Sequence, residues 1–283
     1  MATVTESAEA PPPGKPPMSF GDKVRFVLRG IGQTLITLGL VVLLFVVYEV
    51  WITNIFADRN NSHNIAVLKK EWAQGENPLL PLPGQKNAAV PVGKGIGILY
   101  IPRFGTDYHE AIVQGGNPPD DNQLQQGVAH YGDTQLPGQV GNFAVAGHRV
   151  GKGEPFLNLD QLRAGDPVVV ETESTWYVYR VLGAPPGADP QKVKQKVDAE
   201  PDGAPIQLPG REIVDPSDGN VLLPVPDNPG VQPSEALMTM TTCHPKFTAS
   251  HRMIVYAELA SKVPSSGLTM PASISALYSE VTS

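Results

Sequence analysis

The longest uncharged stretch of the chain runs from Gly30 to Tyr48 and holds 19 residues, most of them apolar. An α-helix of this length measures about 29 Å at 1.5 Å per residue, which matches the hydrocarbon thickness of a bilayer. Backbone groups in a bilayer have no water to bond, so a spanning segment of this kind has to be helical. The sequence therefore predicts one transmembrane helix, over residues 30–51, and no second one.

The charges on the two sides of this segment predict its orientation. The basic residues that precede it are Lys15, Lys23, Arg25 and Arg29. After it, Glu49 and Asp58 come before the first basic residue, Arg59. Because basic residues stay on the cytoplasmic side, the N-terminus is predicted to be cytoplasmic and the rest of the chain to lie outside the cell.

A cleaved signal peptide and a buried core helix are the alternative interpretations of this segment. A signal peptide has 7 to 15 apolar residues and a small-residue cleavage site close behind them. Here the apolar stretch is longer and continues into Tyr48, Glu49 and Trp51. Retention as a single-span anchor is therefore preferred, with the two aromatic residues at the membrane interface.

Composition divides the chain into five parts. A proline-rich, disordered cytoplasmic tail, residues 1–29, precedes the transmembrane helix. The predicted parts beyond the helix are an extracellular linker with a short helix (52–91), a folded domain (92–262) and a flexible C-terminal tail (263–283).

The folded domain is predicted to be all-β. Proline and glycine, 29 and 28 residues, make up about a fifth of the chain, above the ~12% average, which favours turns and short strands. The predicted strands are 95–101, 111–114, 142–147, 167–172, 176–182, 212–214, 221–223, 236–242 and 252–259, with short helices at 121–127 and 155–162. Many short strands at this spacing predict a sandwich or a closed barrel.

Several function classes are excluded by the same sequence. A net charge of -7 and a pI near 5.4 do not suit a phosphate backbone, so no nucleic-acid partner is predicted. The histidines show no recognisable ligand spacing, and neither a glycine-rich phosphate loop nor a G-x-S-x-G serine elbow occurs. We therefore predict no metal and no cofactor.

Cys243 is the only cysteine, so no intrachain disulfide can form. An odd cysteine in an exported protein indicates intermolecular pairing or a reactive thiol. A thiol acts as a nucleophile in its thiolate form, which needs a nearby proton acceptor or positive charge. The alternative is a structural role, because a lone buried cysteine often serves as a small apolar side chain.

Two residues are predicted to assist this thiol. His148 follows the buried-looking strand 142–147, whose end can open onto a cleft, and is predicted to be the acid and base. Arg252 begins the strand that follows Cys243; if the two strands are neighbours, its guanidinium lies beside the thiol and stabilises an oxyanion. The Thr242 hydroxyl is predicted to touch substrate or oxyanion. A core histidine and an ion-pair arginine are the alternatives.

These residues carry a family resemblance. The strings are Ala146-Gly147-His148-Arg149, then Thr239-Met240-Thr241-Thr242-Cys243, then Arg252 one strand later. They resemble the signature of sortases, which are membrane-anchored cysteine transpeptidases of Gram-positive bacteria. Strings at 127–131, 136–142 and 243–247 look like the class E branch of actinobacteria. The resemblance spans residues 95–259.

The resemblance implies an eight-stranded β-barrel with short helices and a specific reaction. Cys243 would attack the Thr-Gly bond of a Leu-Ala-x-Thr-Gly or Leu-Pro-x-Thr-Gly sorting signal and form a thioacyl intermediate. His148 would protonate the leaving amine and deprotonate the incoming one, and Arg252 would hold the oxyanion. The implied partners are surface proteins with sorting signals and a peptidoglycan amine.

Substrate contacts are implied at Thr241, Thr242 and Tyr131, the last of these lining the pocket for the second residue of the sorting signal.

Two features depart from the family pattern. Met240 stands where leucine is usual, a volume-conserving exchange of small cost. Residues 183–210 look like an insertion, which we interpret as a tolerated loop rather than a substrate flap.

Two other functions are kept as alternatives. A pilin-polymerising sortase is expected to carry a second membrane segment or a lid, and the tail after Pro264 lacks an apolar run of that length. A membrane-tethered β-domain that binds wall or partner proteins without catalysis would use Cys243 as a structural residue only.

Overall fold

The computed structural model describes residues 19–48, 53–80, 90–183, 194–197, 206–265 and 269–281. The chain forms two compact units, Met1–Tyr48 and Glu49–Ser283. In the first unit, helix α1 spans Phe20–Val47. It begins ten residues before the predicted start of the membrane helix, so residues 20–29 are helical, while residues 1–18 of the expected tail and residues 49–52 lie outside the described part. Within the described residues, α1 is the one helix long and apolar enough to cross a membrane.

The second unit is built around a closed barrel. Its strands are β1 Gly95–Tyr100, β2 His109–Gln114, β3 Val128–His130, β4 Gly141–Ala146, β5 Pro167–Glu171, β6 Thr175–Val181, β7 Lys194–Val197, β8 Ile206–Pro209, β9 Arg211–Val214, β10 Ala236–His244 and β11 His251–Pro264. Eight of them follow the order β10-β4-β3-β2-β1-β5-β6-β11, and the pairing of β10 with β11 closes the ring. The predicted all-β barrel is confirmed.

Two ladders of this barrel are parallel, β2 with β3 and β4 with β10, and the rest of the ring is antiparallel. Strand β9 lies beside the first residues of β11, and β6 lies beside the remainder of β11. Strand β4 is buried along its whole length. Side chains that point into the barrel form one apolar core, which includes Leu99, Phe143, Tyr179, Met240 and Val255.

Two sequence predictions inside the barrel need correction. The run expected to be a strand at 221–223 forms part of a 3-10 turn, Asn220–Leu222, because its three apolar residues lie between turn formers and only Val221 is buried. The expected loop at 183–210 contains the hairpin of β7 and β8. Residues 184–193 and 198–205 of that segment lie outside the described part.

Helix α2, Thr53–Ala73, occupies the segment expected to be a linker with a short helix. Its Leu68 and Trp72 are buried against Ile98 of the barrel. The Lys69 amine lies 3.1 Å from a carboxylate oxygen of Glu171, whose side chain is 1% exposed. A Cβ at Gly95 would come within 2.8 Å of Leu68, so glycine admits the helix here. The compact unit therefore includes α2.

The C-terminal segment also differs from the flexible tail expected from residue 263. It contains two single-turn helices, α4 Ala272–Ser275 and α5 Leu277–Glu280. Ile274 and Leu277 are buried in an apolar cluster with Trp176 and Val178 of β6. These few apolar residues are therefore enough to pack the C-terminal segment against the barrel.

His130 at the end of β3 makes the stability of this unit depend on pH. The ring is 1% exposed, and its Nδ1 lies 2.9 Å from Gln114 Oε1. Burial lowers the pKa of His130 from 6.5 to about 4. The unfolded chain thus binds a proton at higher pH than the folded chain, and the free energy of unfolding falls by about 3 kcal/mol between pH 6.5 and pH 4.

Urea unfolding of residues 49–283 at several pH values measures this loss. His130→Gln should show a shallower decrease, since glutamine does not titrate. Equal pH dependence in the two proteins would contradict the assignment.

Candidate active site

Cys243 and Arg252 lie side by side on the barrel wall. Strand β10 carries Cys243 and pairs antiparallel with β11, and the register sets Cys243 directly opposite Arg252. Cβ atoms of such opposite residues are about 5 Å apart, so the two side chains leave the sheet next to each other. The thiol is free and half-buried. The strand neighbourhood assumed for Arg252 is therefore present.

The loop between β10 and β11 fixes one edge of the Arg252 guanidinium. Its Nη1 donates to the carbonyl oxygens of Ala249 and His251, both at 3.1 Å. Ala249 has a φ of 54°, in the left-handed region that non-glycine residues rarely adopt. The loop thus turns its carbonyls towards the arginine and holds it at the start of β11.

His148 follows β4, the parallel neighbour of β10, after the single residue Gly147. The amide of Gly147 donates to the Thr241 carbonyl at 3.1 Å, and the Thr242 hydroxyl donates to the Gly147 carbonyl at 2.8 Å. A Cβ at Gly147 would lie 2.7 Å from the Phe156 ring, so a larger residue there would displace this turn. The backbone that precedes His148 is therefore fastened to the strand that carries Cys243.

The surroundings of His148 favour its neutral form. Burial lowers its pKa below the ordinary 6.5, Lys152 lowers it further, and Asp121 opposes the shift. Nε2 lies 3.3 Å from Asp121 Oδ1, within ion-pair range but without the geometry of a hydrogen bond. Asp121 is also paired with Lys152 at 2.6 Å, which weakens its stabilisation of a protonated imidazole. A neutral imidazole can accept a proton.

One cavity of about 500 Å³ brings the predicted residues together. Its lining includes all six of them: His148, Cys243, Arg252, Tyr131, Thr241 and Thr242. Part of the lining comes from the segment 214–222, which the buried Asn142 holds in place by donating to the Val221 and Leu223 carbonyls at 3.2 and 3.1 Å. The cavity therefore combines polar lining residues with apolar ones such as Leu124 and Ile254.

The three residues predicted to bind substrate differ in their contacts. The Tyr131 hydroxyl lies 2.9 Å from Thr241 Oγ1, and burial raises the pKa of this tyrosine. Along a strand, alternate side chains share a face, so Thr241 is on the face of Cys243 and Thr242 is on the other. The Thr242 hydroxyl is bonded to the Gly147 carbonyl. Contact of the three residues with substrate stays a prediction.

Two neighbours of the site received no role from the sequence. Asp121 begins the short helix α3, Asp121–Leu124, and approaches His148. Arg149 follows His148 and is 4% exposed, with its guanidinium beside the main chain of Cys243. The one available signal was that Arg149 stands next to His148 in the sequence. Among the described residues, no group of three His, Cys, Asp or Glu side chains is arranged to hold a metal ion.

Comparison with known proteins gives consistent matches. A family model described as "Sortase domain" matches residues 99–260. Sortase SrtE1 of Streptomyces coelicolor is 32% identical over 244 residues, covering 84% of this chain and 58% of that protein. Sortase SrtE2 of the same organism is 33% identical over 236 residues, covering 81% and 80%. The chain thus spans less than two thirds of the length of SrtE1.

A solved structure extends the similarity to three dimensions. The SrtF sortase from Corynebacterium diphtheriae is 36% identical in sequence and superposes with a TM-score of 0.53. The match covers 69% of this chain and 98% of that one. The structural match therefore covers more of the chain than the family model, which matches residues 99–260.

Proposed function

Since this chain belongs to the sortase family of cysteine transpeptidases, with class E sortases of Streptomyces among its homologues, we propose that it attaches surface proteins to the cell wall. The substrate would be a protein with a Leu-Ala-x-Thr-Gly or Leu-Pro-x-Thr-Gly signal, and the acceptor an amine of a wall peptide. The observation that carries the proposal is the register that sets Cys243 opposite Arg252 in the cavity that His148 lines.

The first half of the proposed reaction forms a thioester. Neutral His148 takes the proton of the Cys243 thiol, and the sulfur attacks the threonine carbonyl to form the S–C bond. The oxyanion that develops is stabilised by the Arg252 guanidinium, which is always positively charged and presents its N–H donors in a fixed planar geometry. The C–N bond to glycine then breaks, and the imidazolium of His148 gives its proton to the leaving amine.

The second half runs in reverse with another amine. The neutral His148 left by the first half removes a proton from the incoming wall amine as that amine attacks the thioester carbonyl. Arg252 again faces the oxyanion, the C–S bond breaks, and the imidazolium of His148 gives its proton to the departing sulfur, which restores the Cys243 thiol and the neutral imidazole. The lowered pKa of His148 supports both halves, because each begins with a neutral imidazole.

Tyr131 is proposed to set the preference at the second residue of the signal. Its hydroxyl contact with Thr241 holds the phenol ring against β10, in the same cavity as Cys243. A ring in this place narrows the pocket, which suits alanine better than the larger proline.

We therefore expect Tyr131→Ala to raise kcat/KM for a Pro-containing peptide relative to an Ala-containing one by about tenfold. The ratio of two substrates on one protein cancels any loss of folded enzyme. An unchanged ratio would remove Tyr131 from the selection of substrate.

The orientation in the membrane is also part of the proposal. The apolar helix α1 would anchor the chain, with the basic residues of its first turns, Lys23, Arg25 and Arg29, at the cytoplasmic side and residues 49–283 outside. Protease added to intact cells should digest the second unit. Protection of that unit from the protease would contradict the proposed orientation.

A peptide assay tests the reaction. Residues 49–283, which retain α2, are incubated with a fluorogenic Leu-Ala-x-Thr-Gly peptide and an amine. We expect cleavage between Thr and Gly and a product that joins the amine to threonine. Absence of cleavage would favour a domain that binds wall components without catalysis.

A further inference from the structure

Arg149 places a buried cation against the main chain of the proposed nucleophile, Cys243. Its Nη1 lies 3.3 Å from the carbonyl oxygen of Cys243, to which it donates, and 2.9 Å from Nδ1 of His244. Its Nη2 is paired with Asp160 Oδ1 at 3.1 Å. The Arg149 side chain, next to His148 in the sequence, is thus bonded to the main chain of Cys243 and to the side chain of His244.

The contact begins where the strand ladder ends. The pairing of β4 with β10 runs to Ala146 opposite Thr241, and the Gly147 amide adds one more bond to the Thr241 carbonyl. Cys243 lies two residues beyond that point. The Arg149 bond to the Cys243 carbonyl therefore holds the chains together in the region where His148 and Cys243 project.

The charge balance of the cluster favours a fixed arrangement. A guanidinium that is 4% exposed needs acceptors, since burying an unpaired charge costs several kcal/mol. Arg149 has acceptors in a carbonyl, an imidazole nitrogen and a carboxylate, and Lys246 Nζ lies 3.9 Å from the same Asp160 oxygen. Burial lowers the pKa of His244 and Arg149 lowers it further, which keeps that ring neutral and able to accept.

We propose that Arg149 is a positioning residue, which fixes the distance and orientation between the Cys243 thiol and the His148 imidazole in both halves of the reaction. The proposal rests on the proposed function, because it gives these two side chains their catalytic roles. Arginine suits the task better than lysine, whose ammonium is a point charge and cannot present a planar set of donors to three acceptors.

The test compares Arg149→Lys with Arg103→Lys in full-length protein in detergent. Arg103 makes a matched control: its Nη2 lies 2.6 Å from Asp166, and it also holds the Val281 carbonyl, outside the cavity. The first readout is kcat and KM with the Leu-Ala-x-Thr-Gly peptide. The second is the rate of iodoacetamide alkylation against pH, which reports on Cys243 alone because the chain has no other thiol.

Arg149→Lys should lower kcat by about 10- to 100-fold with KM changed less than about threefold, since misplacing a catalytic group by 1 Å costs about that much. Its alkylation profile should also move along the pH axis by about half a unit or more, because the placement of the His148 imidazole beside the Cys243 thiol, which affects how readily that thiol ionises, is no longer fixed. Arg103→Lys should lose thermal stability but keep kcat and the profile. Unchanged kcat and profile in Arg149→Lys would overturn the proposal.

Two further arms keep the result decisive. If Arg149→Lys does not fold, Asp160→Asn weakens the same anchor at a side chain that is 41% exposed, and it should lower kcat by about fivefold with a shifted profile. No effect in that variant would then overturn the proposal. If the wild type fails to cleave the peptide, the proposed function fails, and an unshifted alkylation profile would still count against Arg149.

Discussion

Cys243→Ala is expected to reduce transpeptidation of a Leu-Ala-x-Thr-Gly peptide by at least about a thousandfold. The proposed covalent bond to the substrate forms on the Cys243 sulfur, and alanine offers no atom to form it. The fluorogenic assay with residues 49–283 measures the loss. The exchange should leave the fold intact, because Cys243 is half-buried and makes no disulfide.

Cys243→Ser serves as the matched control. It keeps a polar atom of similar size but a much weaker nucleophile, so it should be almost as inactive as the alanine variant. Turnover by Cys243→Ala equal to that of the wild type would contradict the transpeptidase assignment.

His148→Gln is expected to lower kcat/KM by about a hundredfold to ten-thousandfold, the usual contribution of general acid–base catalysis. Glutamine retains hydrogen-bonding groups but cannot exchange a proton near neutral pH. The wild type should lose activity only at a pH below 6.5, the ordinary pKa of the group, since its imidazole must be neutral at the start and burial lowers its pKa.

The control for this variant is His109→Gln. His109 is exposed on β2, with Nδ1 2.8 Å from the Asp107 carbonyl, and it does not line the cavity. It should keep wild-type rates across the pH range. Equal losses in the two variants would show that His148 has no special role.

The barrel was predictable where a local pattern decides the structure. Strands such as β6 and β11 alternate clearly, and a short loop joins β10 to β11, so pairing of Cys243 with Arg252 follows from a hairpin. The strand predicted at 221–223 was wrong, because three apolar residues fit a turn as well as a strand. Strand β3, at three residues, was too short to produce a pattern.

Contacts between distant parts of the chain left no such signal. The parallel pairing of β4 with β10 places Gly147 beside Thr241, a neighbourhood that spacing alone does not predict. His148 was assigned to Cys243 from its position after a buried-looking strand, and the family resemblance agreed with that assignment. Helix α2 looked like part of a linker because its polar residues outnumber its apolar ones. Its position depends on the small size of Gly95 and on the buried Glu171.

Intact-mass measurement of the protein mixed with a sorting-signal peptide, before and after addition of an amine, detects the proposed thioacyl intermediate itself. We expect a mass increase equal to the acyl part of the peptide up to threonine, carried by Cys243 and lost when the amine is added. The same adduct on Cys243→Ala, or cleavage of the peptide with no adduct that the amine discharges, would contradict a thioacyl intermediate on this residue.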